Sequence, residues 1–78
     1  MKGSVIIPLS ILLLIHKNGG MVAKNAIYEY FKVSHFKINK ILKGLEKKRY
    51  IRISNDEIFL TPIGRLILDE LRDLLAFS

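Results

Sequence analysis

Residues 34–50 read Ser34-His35-Phe36-Lys37-Ile38-Asn39-Lys40-Ile41-Leu42-Lys43-Gly44-Leu45-Glu46-Lys47-Lys48-Arg49-Tyr50. Ser34 is a favourable N-cap, because a serine hydroxyl can accept a hydrogen bond from an otherwise unpaired N–H of the first helical turn. The spacing predicts a helix over about 35–48. At about 100° per residue, Ile38, Ile41, Leu42 and Leu45 fall within one arc, while Phe36, Lys40, Lys43 and Lys47 fall on the opposite one. Lys37 and Asn39 flank the basic arc, and Gly44 lies beside it. The apolar arc is expected to face a core. The other presents cations, an aromatic and an amide.

The elements on either side follow from periodicity and punctuation. Upstream, Lys32-Val33 makes a tight turn after a short helix over about 23–31, with Ile27 and Phe31 at i, i+4 on its inner face. Met21-Val22 forms a minimal strand, and Asn18-Gly19-Gly20 stops a first helix over about 5–17. Proline is comfortable only in a first turn, so Pro8 places the start of that helix between Ser4 and Pro8. Its apolar residues do not keep to one stripe: Ile7, Ile11 and Leu14 lie on one side, and Leu9, Leu12 and Leu13 spread over another. Such a helix must be covered on more than one side. In a chain of 78 residues the expected cover is a second subunit.

Downstream, the period changes to two. Ile51 and Ile53 alternate with Tyr50 and Arg52, Ser54-Asn55-Asp56-Glu57 turns the chain, and Ile58 and Leu60 continue, which predicts a hairpin over about 50–61. Thr61-Pro62 then opens a last helix over about 62–76, with Thr as N-cap and Pro at the first position. Ile63, Leu66, Ile67, Leu71, Leu74 and Leu75 are expected on its apolar face. The chain reads as one domain spanning 1–78, mainly helical with a small hairpin (α+β).

Charge is unevenly spread. Residues 1–54 hold eleven basic and two acidic side chains, whereas residues 55–78 hold two basic and five acidic ones, within a total of +6. One part of the molecule is suited to polyanions and the other is not. Half of the residues are apolar, which excludes intrinsic disorder. With no cysteine and only His16 and His35, neither a disulfide nor a zinc centre is expected. Residues 5–15 contain nine apolar residues of eleven, too few to cross a bilayer, which takes roughly 20. A signal peptide is the alternative, but His16-Lys17-Asn18-Gly19-Gly20 offers no small-x-small cleavage pattern. A buried helix is the better reading, in a cytoplasmic protein with no membrane partner.

No catalytic constellation stands out. Asp69, Glu70 and Asp73 suit an exposed helix face beside Arg65 and Arg72. His35 has no carboxylate or Cys companion at useful spacing, and His16 reads as a helix-terminal cation. Gly19-Gly20 lacks the downstream Lys-Ser/Thr of a phosphate loop. No enzyme activity, cofactor or small-molecule ligand is expected.

The basic arc suits a major groove, which admits one helix. Lysines can meet phosphates or guanine O6 and N7, Asn39 can pair with adenine in bidentate fashion, and Phe36 can touch a thymine methyl. A merely solvated lysine face is the plainer alternative, and Phe36 is what it explains least well.

The element order resembles that of a winged helix-turn-helix domain. Val33 to Ile51 is similar to the turn and recognition helix of MarR/PadR-type regulators, which read as a Ser cap, an Ile or Val, a two-residue aliphatic step, Leu-Glu-x-x-Gly, then a strand. Leu60-Thr61-Pro62-Ile63-Gly64-Arg65 resembles the Leu-Thr-x-x-Gly-Arg that follows the wing in those families. The resemblance covers essentially the whole chain. It implies a homodimeric, sequence-specific regulator of transcription with the third helix in the major groove of double-stranded DNA, set on paired half-sites by two-fold symmetry. The base-reading positions correspond to His35, Phe36, Lys37, Asn39, Lys40 and Lys43, with Lys32, Lys47, Lys48 and Arg52 available to phosphates. Dimerisation through terminal helices would use Ile7, Ile11, Leu14, Leu68, Leu75 and Phe77.

Three positions depart from the pattern. Lys32 and Arg49 stand where glycine is usual, and a left-handed conformation is open to either at modest cost. The hairpin tip, Asn55-Asp56-Glu57, is acidic where wings that contact DNA are usually basic. Two carboxylates repel a phosphate backbone, which leaves Arg52 as the hairpin's only cation. The Z-DNA-binding winged helices share the Ile-Asn step but carry Tyr where this chain has Lys43, so that relation is rejected. An alternative function on the same fold is protein–protein contact within a transcription, replication or sorting assembly, which the acidic tip and apolar first helix favour.

Overall fold

A computed structural model describes residues 3–76, and side chains for residues 7–73. The order is α1 (Gly3–Lys17), β1 (Met21–Ala23), α2 (Lys24–Tyr30), α3 (His35–Lys47), β2 (Ile51–Ser54), β3 (Glu57–Leu60) and α4 (Pro62–Ala76). The strands form one antiparallel sheet in the order β1-β3-β2. In register, Val22, Ile58 and Ile53 share one sheet face, and Met21, Phe59 and Arg52 share the other. The first row packs inward, with Ile58 wholly buried and Val22 nearly so. The chain is therefore mainly helical with a small three-stranded sheet.

α1 departs from expectation in two ways. It starts at Gly3, so Pro8 sits inside the helix rather than in its first turn. A proline there forgoes one i→i−4 bond. The second difference concerns its cover. Ile11, Leu12 and Ile15 are buried by the chain itself, because α1 packs against α3, α4, β1 and β3. Ile11 therefore has no surface to offer a second copy, and the same holds for Leu68 of α4, which is 1% exposed. Ile7 and Leu14 are half-buried and pack against that same core. The side chains of Leu75 and Phe77 lie outside the described residues.

Termini are satisfied by specific groups. α1 ends where Gly19 and Gly20 take positive φ (85° and 99°), and the Gly20 N–H reaches back to the Ile15 carbonyl at 2.9 Å. α2 has Ala23 as its N-cap, a residue with no capping side chain. Its first N–H, that of Lys24, donates instead to the Asp56 carbonyl at 2.7 Å, so the hairpin tip caps α2. The Ser34 hydroxyl accepts from the Lys37 N–H at 3.2 Å, as the sequence predicts. α3 closes with the Tyr50 N–H on the Leu45 carbonyl and the Arg49 N–H on the Glu46 carbonyl. This pairing is the Schellman arrangement, which needs a left-handed residue after the C-cap. Arg49 supplies it at φ 65°. Lys32, by contrast, is not left-handed: among the described residues only Arg49 and Asn55 are non-glycines with positive φ. The chain turns there through a Val33 N–H to Phe31 carbonyl bond of 2.8 Å.

The rotation of α4 is set by one close approach. A Cβ on Gly64 would lie 2.1 Å from the Tyr50 carbonyl oxygen and 2.9 Å from Leu60 Cδ1. Thr61 holds that contact in place. Its single hydroxyl hydrogen is shared between the carbonyls of Arg49 and Tyr50, and its oxygen accepts from the Gly64 N–H at 3.0 Å. With Gly64 turned inward, Leu68 follows one turn later, and Ile67 and Leu71 flank it half-buried. Ile63 and Leu66 are consequently turned out, 47% and 60% exposed, rather than belonging to the inner face.

Gly44 has no comparable reason to be glycine, since nothing lies within 4 Å of a Cβ built on it. Gly44→Ala is expected to raise stability by about 1 kcal/mol, the helix-propensity difference alone, measurable as a higher urea midpoint at unchanged slope.

Candidate nucleic-acid interface

α3 has one amphipathic design, and the fold uses it as its periodicity suggests. Ile38, Leu42 and Leu45 are buried and Ile41 is half-buried, while Phe36, Lys37, Lys40, Lys43 and Lys47 are exposed. Phe36 is 78% exposed, so the chain itself leaves the apolar surface of this ring in water, where its burial would be favourable. It stands among lysines about one turn apart, so an aromatic face and several cations are offered together.

Two depressions flank this face. On the side of β2 and the start of α2 lies a concavity of about 600 Å³ with Leu42 and Ile53 in its lining. Lys24, Phe36, Asn39, Lys40, Lys43 and Glu46 make up the rest of it. On the other side, facing α1 and α4, lies an apolar groove of about 350 Å³ lined by Pro8, Leu9, Leu12, Ile41, Gly44, Leu45, Tyr50, Ile67 and Leu71, with Lys48 as its cation. The first is the better anion site. Three ammonium groups line it against one carboxylate, Glu46.

The residues expected at the interface separate into groups. Phe36, Asn39, Lys40 and Lys43 come together in the concavity. Lys37 and Lys47 are exposed elsewhere on α3, and Lys32 is exposed in the preceding turn. Arg52 is not brought to the concavity: it stands in the row with Phe59 and Met21, on the sheet face opposite Ile53. His35 is exposed at the start of α3 but does not line the concavity, and its ring stacks on Tyr28 with centroids 4.0 Å apart and planes 15° from parallel. The hairpin tip is exposed at Asn55, Asp56 and Glu57, with its acidic side chains uncovered by the rest of the fold.

Two residues of α2 join the site without having been singled out. Lys24 adds a cation, brought in by the pairing of β1 with β3 and by its N–H bond to Asp56. Tyr28 contacts both His35 and Asn39. Their i, i+4 spacing, which puts both on one face of a helix, was the available signal. Which neighbour that face meets depends on how α2 docks on α3.

No protein-family model, curated protein or solved structure matches the chain. Among the described residues, no helix is long and apolar enough to cross a membrane, and no group of His, Cys, Asp or Glu is placed to hold a metal ion.

Proposed function

We propose that this chain is a winged-helix protein that binds double-stranded DNA, with α3 in the major groove, and that it acts as a homodimeric, cytoplasmic transcriptional regulator of the type the MarR/PadR resemblance implies. The observation that carries the reading is the outward face of α3: an exposed Phe36 among Lys40, Lys43 and Lys47, joined by Lys24 from α2. Lysine ammonium groups release condensed counterions when they replace them at phosphates, which supplies sequence-independent affinity. Phe36 and Asn39 can read base edges, and the lysines can reach guanine O6 and N7. Self-association would draw on the exposed Leu13, Ile63 and Leu66, since Ile11 and Leu68 are consumed by the core.

The test is fluorescence anisotropy of a labelled random-sequence duplex across a series of salt concentrations. Micromolar binding is expected, with log K falling linearly against log salt at a slope of several displaced counterions. Absence of binding at low salt sinks the reading. The second reading, a winged-helix module for protein contact, is favoured by the apolar groove between α1, α3 and α4 and by the acidic hairpin tip. A pure protein that aggregates until mixed with a partner, and ignores DNA, is its signature.

A further inference from the structure

Tyr28 belongs to α2, is half-buried, and is not among the residues that line the concavity beside α3. Yet it touches two residues of α3 at once. Its ring lies against His35 in a near-parallel stack, and its hydroxyl donates to Asn39 Oδ1. Asn39 itself is exposed and lines the basic concavity with Phe36 and Lys43.

An unrestrained asparagine amide can present either its oxygen or its nitrogen in a given direction, because the two ends are nearly the same size. The Tyr28 hydroxyl removes that freedom. A bond donated to Oδ1 holds the oxygen on the α2 side, and the His35 stack keeps the phenol ring from swinging away. The amide then retains one Oδ1 lone pair and both Nδ2 hydrogens. That remainder complements the major-groove edge of adenine, whose N7 accepts and whose N6 amino group donates. Guanine presents acceptors at both N7 and O6, so an oriented amide sets its oxygen against O6.

We propose that Tyr28 is the positioning residue that gives this interface a preference for adenine, by fixing the side-chain amide of Asn39 through a hydrogen bond from α2. This rests on the reading of α3 as a DNA-binding helix, and it adds a residue outside α3 as a determinant of which base is read. Tyr28 acts through Asn39 and touches no nucleic acid itself.

The experiment compares binding of poly(dA)·poly(dT) and poly(dG)·poly(dC) duplexes by the full chain and by Tyr28→Phe, Asn39→Ala and the double variant, all at one salt concentration and again over a salt series. Phenylalanine keeps the ring, the stack and the net charge while deleting the hydroxyl, so folding and salt slope are expected to stay as they are. The unmodified chain is expected to prefer the dA·dT duplex about tenfold, within the range for one well-made bidentate contact. Tyr28→Phe is expected to cut that ratio to within about twofold of the Asn39→Ala ratio, and to change nothing further once Asn39 is alanine, as coupled residues behave in a double-mutant cycle. A second variant, Asn39→Asp, keeps an acceptor for Tyr28 but has no N–H and should lose the preference as well. The proposal is overturned if the unmodified chain shows no preference, or if Tyr28→Phe weakens both duplexes equally at an unchanged ratio, the result of a purely structural contact between α2 and α3. Binding with a normal salt slope in those cases leaves the DNA-binding reading standing, whereas no binding to either duplex removes both.

Discussion

Replacing Lys40 and Lys43 together by alanine is expected to weaken binding to a random-sequence duplex by up to ~60-fold at 0.1 M salt, and to reduce the salt slope by about two units. The size follows from counterion release. Each lysine–phosphate contact contributes a slope of about 0.9, so two contacts amount to ~1.8 decades between a 1 M reference and 0.1 M. Both side chains are exposed and neither packs in the core, so the variant should fold as the parent does. Circular dichroism establishes that point, and anisotropy then reports on binding alone. An affinity and slope unchanged by the double substitution would mean that nucleic acid, if bound, lies elsewhere than on the outer face of α3.

The largest effect on stability is expected at Gly64. Its first heavy atom beyond the backbone would have to lie 2.1 Å from the Tyr50 carbonyl oxygen, a backbone atom that already accepts the Thr61 N–H at 3.1 Å. Relief requires moving the whole first turn of α4 away from the α3–β2 junction. That movement breaks the Thr61 hydroxyl bonds to Arg49 and Tyr50 and pulls Leu68 from its buried position. Overpacking of this kind costs about 3 kcal/mol or more when the obstacle is backbone. A cysteine-free domain of this size has only about 3–5 kcal/mol to lose. Gly64→Ala should therefore retain at most about 2 kcal/mol of stability at 25 °C, seen as a urea transition shifted far toward zero denaturant or lost altogether. A variant with a normal transition would show that α4 can slide along the junction, and that Gly64 does not set its rotation. The contrast with Gly44→Ala, where the same substitution meets open space, separates the cost of a methyl group from the cost of its position.

Most elements were legible from local pattern. The Ser34 cap, the Gly19-Gly20 stop, the Thr61-Pro62 start and the two-residue alternation around Asn55 each act through bonds within a few residues, so local chemistry is enough to place them. The faces of α3 were legible for the same reason. Its apolar residues occupy a narrow arc, and a helix with one apolar arc has a single way to bury it.

Helices with more than one burial option are where local pattern stopped. α1 is apolar nearly all round, and nothing in its own residues distinguishes cover by a second copy from cover by α3, α4 and the sheet. The chain itself buries Ile11, Leu12 and Ile15, which takes Ile11 out of reach, and leaves Leu13 exposed. For α4 the apolar positions outnumber those the core can hold, and the choice falls to Gly64: the one position with no side chain lets the helix come closest, and closeness there turns Ile63 and Leu66 outward.

The basic face had the same division. The sequence by itself determined that α3 would present Phe36, Asn39, Lys40 and Lys43 away from the core, because helical periodicity and hydrophobic burial leave no other arrangement. Only the tertiary structure decided what stands beside them. Lys24 and Tyr28 arrive through the antiparallel pairing of β1 with β3 and the docking of α2, and Arg52 is carried to the far sheet face by the register of β2. These placements depend on contacts between residues distant in the chain, and such contacts are fixed by packing rather than by the spacing of residues along a single element.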